Sequence, residues 1–273
     1  MTISLIFNKL KMYFLGGYTF YFRWPVFRVE HFSASSFFLG PWMQGVIFAL
    51  CAFCLNFFQI FSPQVTILFS SVFLSCLTGF FHEDGFADTL DSLGVSKFDG
   101  TPGTLEKIHG AMKDSRLGAF GVNGVVFIWL FRCIAFFEFK IDWQSWALVV
   151  FASRFVGLFV AWVVSKDKSL TKATRSGHLM QEIGSKQMSL YSLAFVGTIL
   201  ALNSAHVSEF IPFFLSVSGS FFVCYIWLKK ISVRSDGLSG DLIGSTILIA
   251  EMVLPVIMNL LPRIKAFNLA GYL

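Results

Sequence analysis

Three aspartates, Asp84, Asp88 and Asp91, recur at i, i+4 and i+7 in the run His82-Glu83-Asp84-Gly85-Phe86-Ala87-Asp88-Thr89-Leu90-Asp91. That spacing puts their side chains on one face of an α-helix. Acids held so close repel one another, and beside a low-dielectric bilayer the cost rises unless a cation or a proton neutralises them. Carboxylate oxygens are the donors Mg²⁺ prefers, with water and substrate phosphate completing its octahedron. The three acids therefore point to one or two such ions with positions left open. An ordinary helix start, favoured by the dipole, does not require three aspartates on one face. Gly85, having no Cβ, would let a ligand approach the backbone. His82 fits a base, a metal ligand or a donor behind the ligands, because imidazole titrates near working pH, and spacing does not choose among these. Glu83 falls off the Asp84–Asp88 face and is not read as a primary ligand.

A second constellation, Met112-Lys113-Asp114-Ser115-Arg116-Leu117-Gly118, offers a planar guanidinium fork for phosphate oxygens at Arg116, with Asp114 placed to orient it or to join the metal shell. A positive stop followed by a helix cap explains the same residues. Arg132, Arg154 and Glu251 lie inside apolar runs, where a charge is costly unless it snorkels, pairs or lines a wet cavity. Arg154, beside Ser153 and deep in its run, suggests a cavity facing the bundle interior, with Glu251 as its candidate partner; a buried pair holding helices together is the plainer reading. Arg132 lies nearer an interface and has the weaker claim. The stretch from Ser235 to Ser245 sets glycines and Asp241 at the mouth of the last apolar run, where a turn exposes N–H groups to phosphate and Asp241 caps a helix or assists a metal. It is not a P-loop, since the Gly-Lys-Ser/Thr ending is missing. Five cysteines lie within apolar runs; Cys51-x-x-Cys54 has no second pair to complete a zinc site, so the thiols read as packing.

The elements that position these groups must be membrane helices. The chain is 55% hydrophobic and 14% charged, with a mean hydropathy of +0.70, which excludes an ordinary soluble protein. Apolar runs at Phe37–Phe61, Gln64–Phe81, Gly118–Phe137, Trp143–Val164, Met188–Leu202, Glu209–Leu228 and Asp241–Leu261 each approach the roughly 20 residues a hydrocarbon core demands. The fold class expected is all-α, a polytopic integral membrane bundle of about seven transmembrane helices, with residues 1–36 forming an N-terminal interfacial or re-entrant segment. Lys and Arg test the layout. They crowd the N-terminal segment and the loops after the second, fourth and sixth runs (Lys113 and Arg116, Lys166 to Lys186, Lys229 to Arg234), whereas the other side holds Lys140, Arg263 and Lys265. The N-terminus and the acidic loop, residues 82–117, are therefore expected in the cytoplasm. Glycines and Pro102 in that loop predict short helices and turns. The net charge of +5 follows from cytoplasmic retention and contact with anionic lipid, and needs no nucleic-acid partner. One membrane domain, residues 1–273, is the simplest division.

In order along the chain, Phe22-Arg23-Trp24-Pro25, the run Gly79 to Asp91, Lys113-Asp114-Ser115-Arg116-Leu117-Gly118, Ser153-Arg154, Gly240-Asp241 and Glu251 resemble the adenosylcobinamide-GDP ribazoletransferase (cobalamin synthase) family, membrane enzymes of nucleotide-loop assembly in cobalamin biosynthesis. The resemblance implies a Mg²⁺-dependent transfer. A ribose hydroxyl of α-ribazole, or of its 5′-phosphate, attacks the cobinamide-side phosphate of adenosylcobinamide-GDP; GMP leaves and adenosylcobalamin or its 5′-phosphate forms. It also implies roles: Asp84, Asp88 and Asp91 as metal ligands, His82 or a carboxylate taking the hydroxyl proton, and Arg116, Asp114, Arg154, Asp241 and Glu251 toward substrate. A bacterial inner membrane is the implied address. Ser92 departs from the family pattern, which has Gly after the last acid. Two alternatives remain from the residues alone. A CDP-alcohol phosphotransferase uses related boundary aspartates, but its motif has an Ala-Arg step where this chain reads Ala87-Asp88. A transporter would use Arg132, Arg154 and Glu251 along a solute path, but no paired broken helices or inverted repeat appear. Oligomeric state is undetermined by sequence.

Overall fold

The computed structural model describes residues 21–22, 34–95, 104–114, 116–139, 141–170, 174–202 and 207–270, the last stretch beyond 261 as backbone only. Among the described residues there are ten α-helices and no strand. They are α1 (Gly40–Phe57), α2 (Pro63–Leu77), α3 (Phe81–Val95), α4 (Thr104–Lys113), α5 (Ala119–Glu138), α6 (Trp143–Val164), α7 (Arg175–Glu182), α8 (Ser185–Leu202), α9 (Val207–Arg234) and α10 (Gly240–Ala270). Local chemistry starts several of them. Pro63 opens α2 where its missing N–H costs nothing, and the Asp142 side chain accepts from the Ser145 N–H at 2.7 Å to cap α6.

Helix α6 is the axis of the bundle. Its residues from Trp146 to Val164 are mostly buried, and α1, α9 and α10 pack around it. Gly157 permits the closest approach: a Cβ there would lie 3.1 Å from the Ile247 backbone of α10. By contrast α5 and α9 turn large apolar side chains outward, among them Phe120, Phe127, Leu130 and Phe137 on one and Ile211, Phe222 and Ile226 on the other. Such faces suit lipid rather than water.

Among the described residues, five helices are long and apolar enough to cross a membrane: Ser36–Phe57, Ala119–Glu138, Trp143–Val164, Ile211–Arg234 and Gly240–Leu261. A sixth crossing is reached if α2 and α3, bent by 81° at their junction, count as one broken span. The count of about seven is thus reduced at two places. The run Gln64–Phe81 ends early because Gly79 (φ 65°) and Phe80 (φ 56°) reverse the chain, leaving α2 about 22 Å long. The fifth expected run, Met188–Leu202, is helical as part of α8, but that helix begins with Ser185-Lys186-Gln187 and falls short of spanning character. Of the N-terminal segment, all but Tyr21, Phe22 and residues 34–36 lie outside the described residues; Tyr21 and Phe22 are buried.

The loops predicted to share one side do gather at one end of the bundle. The Leu238 N–H donates to Leu170 O at 2.9 Å, Thr174 Oγ1 donates to Leu238 O at 2.6 Å, and His109 Nε2 on α4 donates to Ser235 O at 2.8 Å. The acidic helix α3 runs toward this end, where its Gly85 packs against Asp241 in the first turn of α10.

Candidate active site

Helix α3 carries the acids, and its packing against α10 decides which of them meet. The two helices run antiparallel, with Gly85 against Asp241 and His82 against Gly244. A Cβ on Gly85 would sit 2.8 Å from Asp241 Cα and 2.9 Å from its carbonyl oxygen. Gly85 therefore serves close helix packing, not the approach of a ligand. That packing brings Asp241 beside the Asp84–Asp88 face: Asp88 feels the negative charge of Asp84, Asp241 and Asp91, and Asp241 that of Asp84. Asp84 is exposed, and Asp88 and Asp241 are half-buried. Among the described residues, ion pairs join Arg116 to Asp114, Arg132 to Glu83 and Glu251, and Arg154 to Glu251; none neutralises these three acids.

Asp91 departs from its expected place among the metal ligands. Its Oδ2 accepts from the Gly118 N–H at 2.7 Å and its Oδ1 from the Gly121 N–H at 2.8 Å. It caps the start of α5 from a neighbouring helix, satisfying amides that no intrahelical carbonyl reaches. Gly118 and Gly121 are glycines for this reason, since a Cβ on either would lie 2.4 or 2.3 Å from the carboxylate. The cap ties the segment before α5 to the acidic helix, and that segment holds Arg116. Arg116 Nε and Nη2 donate to Asp114 Oδ1 and Oδ2 at 3.0 and 2.8 Å, and the Arg116 N–H donates to Oδ1 at 3.0 Å. Asp114 thus holds the guanidinium, one of the two roles its sequence position leaves open, and the hydrogen bonds from Arg116 hold the Asp114 carboxyl down at about 2.

His82 faces elsewhere. It is buried, with Nε2 lacking a partner, its ring lying near-parallel to Tyr21 at 6.4 Å and edge-on to Phe81 at 5.7 Å. It borders a niche of about 10 Å³ with Ser176, Gly240 and Gly244, room for one water. On α3 it is two residues, about 200°, from Asp84, so it does not share the face on which a hydroxyl would be deprotonated.

Arg154 and Glu251 are also away from the acids. Glu251 lies ten residues beyond Asp241 on α10, about 15 Å deeper. There it joins a buried network contributed by six helices. Arg154 (α6) donates to Glu251 (α10), to Ser153 Oγ at 2.9 Å and to Gln44 Oε1 of α1 at 3.0 Å. Arg132 (α5) donates through Nε to Glu251 Oε1 at 2.8 Å and through Nη1 to Glu83 Oε1 (α3) at 3.0 Å. Ser75 Oγ of α2 donates to the same Glu83 oxygen at 2.6 Å. The four charged side chains are 3–4% exposed and balance in sign. The proposed Arg154–Glu251 pairing is present; a phosphate contact for either is not what this geometry provides. Arg132, which by sequence has the weaker claim, bridges both glutamates. Helical spacing alone gives Glu83, Gln44 and Ser75 no role, although each is a polar residue at or within an apolar run, the signal that a buried partner must exist.

The family model for cobalamin-5-phosphate synthase matches residues 13–259. Similar chains include the adenosylcobinamide-GDP ribazoletransferase of Thermoanaerobacter sp. (strain X514), 28% identical over 82% of this chain and 85% of the relative. That of Vibrio parahaemolyticus serotype O3:K6 is 27% identical over 88% and 89%, and that of Shewanella halifaxensis is 29% identical over 67% and 68%. No solved structure matches.

Proposed function

This chain belongs to the cobalamin-5-phosphate synthase family, and from that premise we propose that it is an adenosylcobinamide-GDP ribazoletransferase whose reaction centre is the face shared by Asp84, Asp88 and Asp241. A ribose hydroxyl of α-ribazole, or of its 5′-phosphate, forms the new O–P bond at the cobinamide-side phosphorus. The P–O bond to GMP breaks, GMP leaves with the bridging oxygen, and the hydroxyl proton passes to a base. Such a displacement asks the protein for charge neutralisation and in-line positioning rather than a covalent nucleophile.

The observation that carries this reading is the convergence of acids from α3 and α10, with no ion pair to any of the three among the described residues. Mg²⁺ is commonly held by one or two carboxylates, with water and substrate phosphate completing its shell. One or two of Asp84, Asp88 and Asp241 would hold it, and when bound it would neutralise phosphate charge. Arg116, presented by Asp114 at the same end of the bundle, offers its remaining N–H groups to a phosphate oxygen. A half-buried carboxylate of this face, such as Asp88, is better placed than His82 to take the hydroxyl proton. The bilayer is read as the bacterial inner membrane, with the acid face on the cytoplasmic side where positive charge is retained.

The test is product formation by the purified protein in lipid, given adenosylcobinamide-GDP and α-ribazole 5′-phosphate with and without Mg²⁺. Metal-dependent release of GMP with a complete corrinoid, lost in Asp84→Ala and in chelator, is expected. Folded protein that makes neither product from either ribazole acceptor would sink the proposal.

A further inference from the structure

Glu83 neighbours the acid face in sequence but points the opposite way. Successive side chains on a helix are set about 100° apart, so Asp84 and Asp88 stand roughly 100° and 140° around α3 from Glu83. Ala87, about 40° from Glu83, is fully buried. Whatever fixes the direction of Glu83 therefore fixes the direction in which the aspartates open. Its Oε1 is gripped from two sides. Ser75 lies before the 81° bend that separates α2 from α3, so the 2.6 Å hydrogen bond from Ser75 spans that bend. Arg132 approaches from α5 at 3.0 Å and is itself held by Glu251 of α10.

We propose that Glu83 is a positioning residue: by pairing with Ser75 and Arg132 inside the six-helix charge network, it sets the rotation of α3 about its own axis and so presents Asp84 and Asp88 toward Asp241. The catalytic consequence rests on the reading of the acid face given above; the rotational role does not. At the bent end of α3, Glu83 adds a charged anchor to the close packing of His82 and Gly85 on α10. A charged anchor resists rotation more than apolar packing does, because turning Glu83 out of the network would leave Arg132 half-paired in the interior. The same logic predicts that the network acts on the orientation of reacting groups, where small displacements carry large rate penalties.

Rotation can be read without activity. In a background with the native cysteines replaced, Asp84→Cys and Ala87→Cys serve as single reporters for a membrane-impermeant maleimide, with the protein in lipid nanodiscs. Cysteine at position 84 should label about tenfold faster or more than at the buried position 87. Adding Glu83→Ala with Arg132→Met removes one charge of each sign and leaves the Arg154–Glu251 pair balanced; it should bring the two rates within about threefold. With Asp84 and Ala87 restored, the same pair of substitutions should lower kcat by about tenfold or more with KM changed less than about threefold. A folded double variant that keeps the labelling preference overturns the proposal. If that variant does not fold, Glu83→Gln decides, since it keeps the shape and an acceptor oxygen and should retain both the labelling preference and most of kcat. Retained labelling with lost activity in Glu83→Gln would instead give the carboxylate a direct chemical role and overturn the positioning one. Should the parent protein lack transferase activity while the labelling shifts as described, the rotation anchor stands and the functional reading falls.

Discussion

Asp91 and Asp88 belong to the same motif, yet their oxygens have different occupations, and mutation should separate them. Asp91 accepts two backbone N–H bonds at the start of α5, so Asp91→Ala strands two amides and should destabilise the protein by about 1.5–3 kcal/mol. Asp88→Asn removes a charge that faces other acids and should leave the thermal midpoint in detergent unchanged or higher. Mn²⁺ titration of the same proteins should show binding weakened by Asp88→Asn and Asp241→Asn. Equal destabilisation by both Asp91→Ala and Asp88→Asn would contradict the separation. Asp114 supplies a pH test. Its folded value lies at about 2, depressed by Arg116, below the unfolded value of about 3.9. The pair therefore contributes fully above the unfolded value and is lost only as pH falls through about 2. Being exposed, it adds little stability, and its signature is spectroscopic: the carboxylate carbon shift of Asp114 should titrate with a midpoint near 2. A midpoint at the unperturbed value would show that Arg116 is not held.

Small residues decide how the elements meet. The α3–α10 contact exists because Gly85 lets the backbone of Asp241 come within reach of the acid face. Gly85→Ala must push the helices apart, since its neighbour there is backbone rather than a flexible side chain. A loss of about 1–3 kcal/mol is expected, with weaker Mn²⁺ binding because Asp241 is carried away from Asp84. Unchanged ion affinity in a Gly85→Ala protein would argue that Asp241 does not share the site. The periodicity of the motif correctly predicted the α3 helix and its acid face, and Gly94 to Gly110 correctly implied short elements such as α4. It could not show that α2 ends at Leu77, because the apolar run continues through the Gly79–Phe80 reversal and composition does not sense φ.

At the scale of the molecule, the charge network ties six helices and closes Arg132, Arg154 and Glu251 into buried ion pairs. Breaking it from one side should be costly: Arg154→Met leaves Glu251 with only Arg132, and a loss of about 3–5 kcal/mol is expected, read as a lower midpoint of thermal unfolding in detergent. A midpoint equal to that of the parent would mean the network does not hold the bundle. The clustering of the loops around Leu170, Thr174, Ser235 and Leu238 makes a topological prediction as well. Cysteines placed at Lys168 and at Gln59, at opposite ends of the bundle, should label from opposite faces of sealed vesicles.

The amino-acid order alone determined the membrane class, the helical acid face of Asp84 and Asp88 and the shared side of the basic loops, and it made Glu251 a candidate partner for Arg154, because these follow from hydropathy, the 3.6-residue period and the cost of a lone charge in lipid. It also carried the resemblance on which the family reading began. Tertiary structure decided the rest: that Asp241 joins the acids while Asp91 caps α5, that His82 turns inward, and that Arg132 links both glutamates. Those outcomes depend on which helices touch and at what rotation. Side chains more than a hundred residues apart, such as Arg132 and Glu251 at 2.8 Å, become partners only when the whole bundle closes.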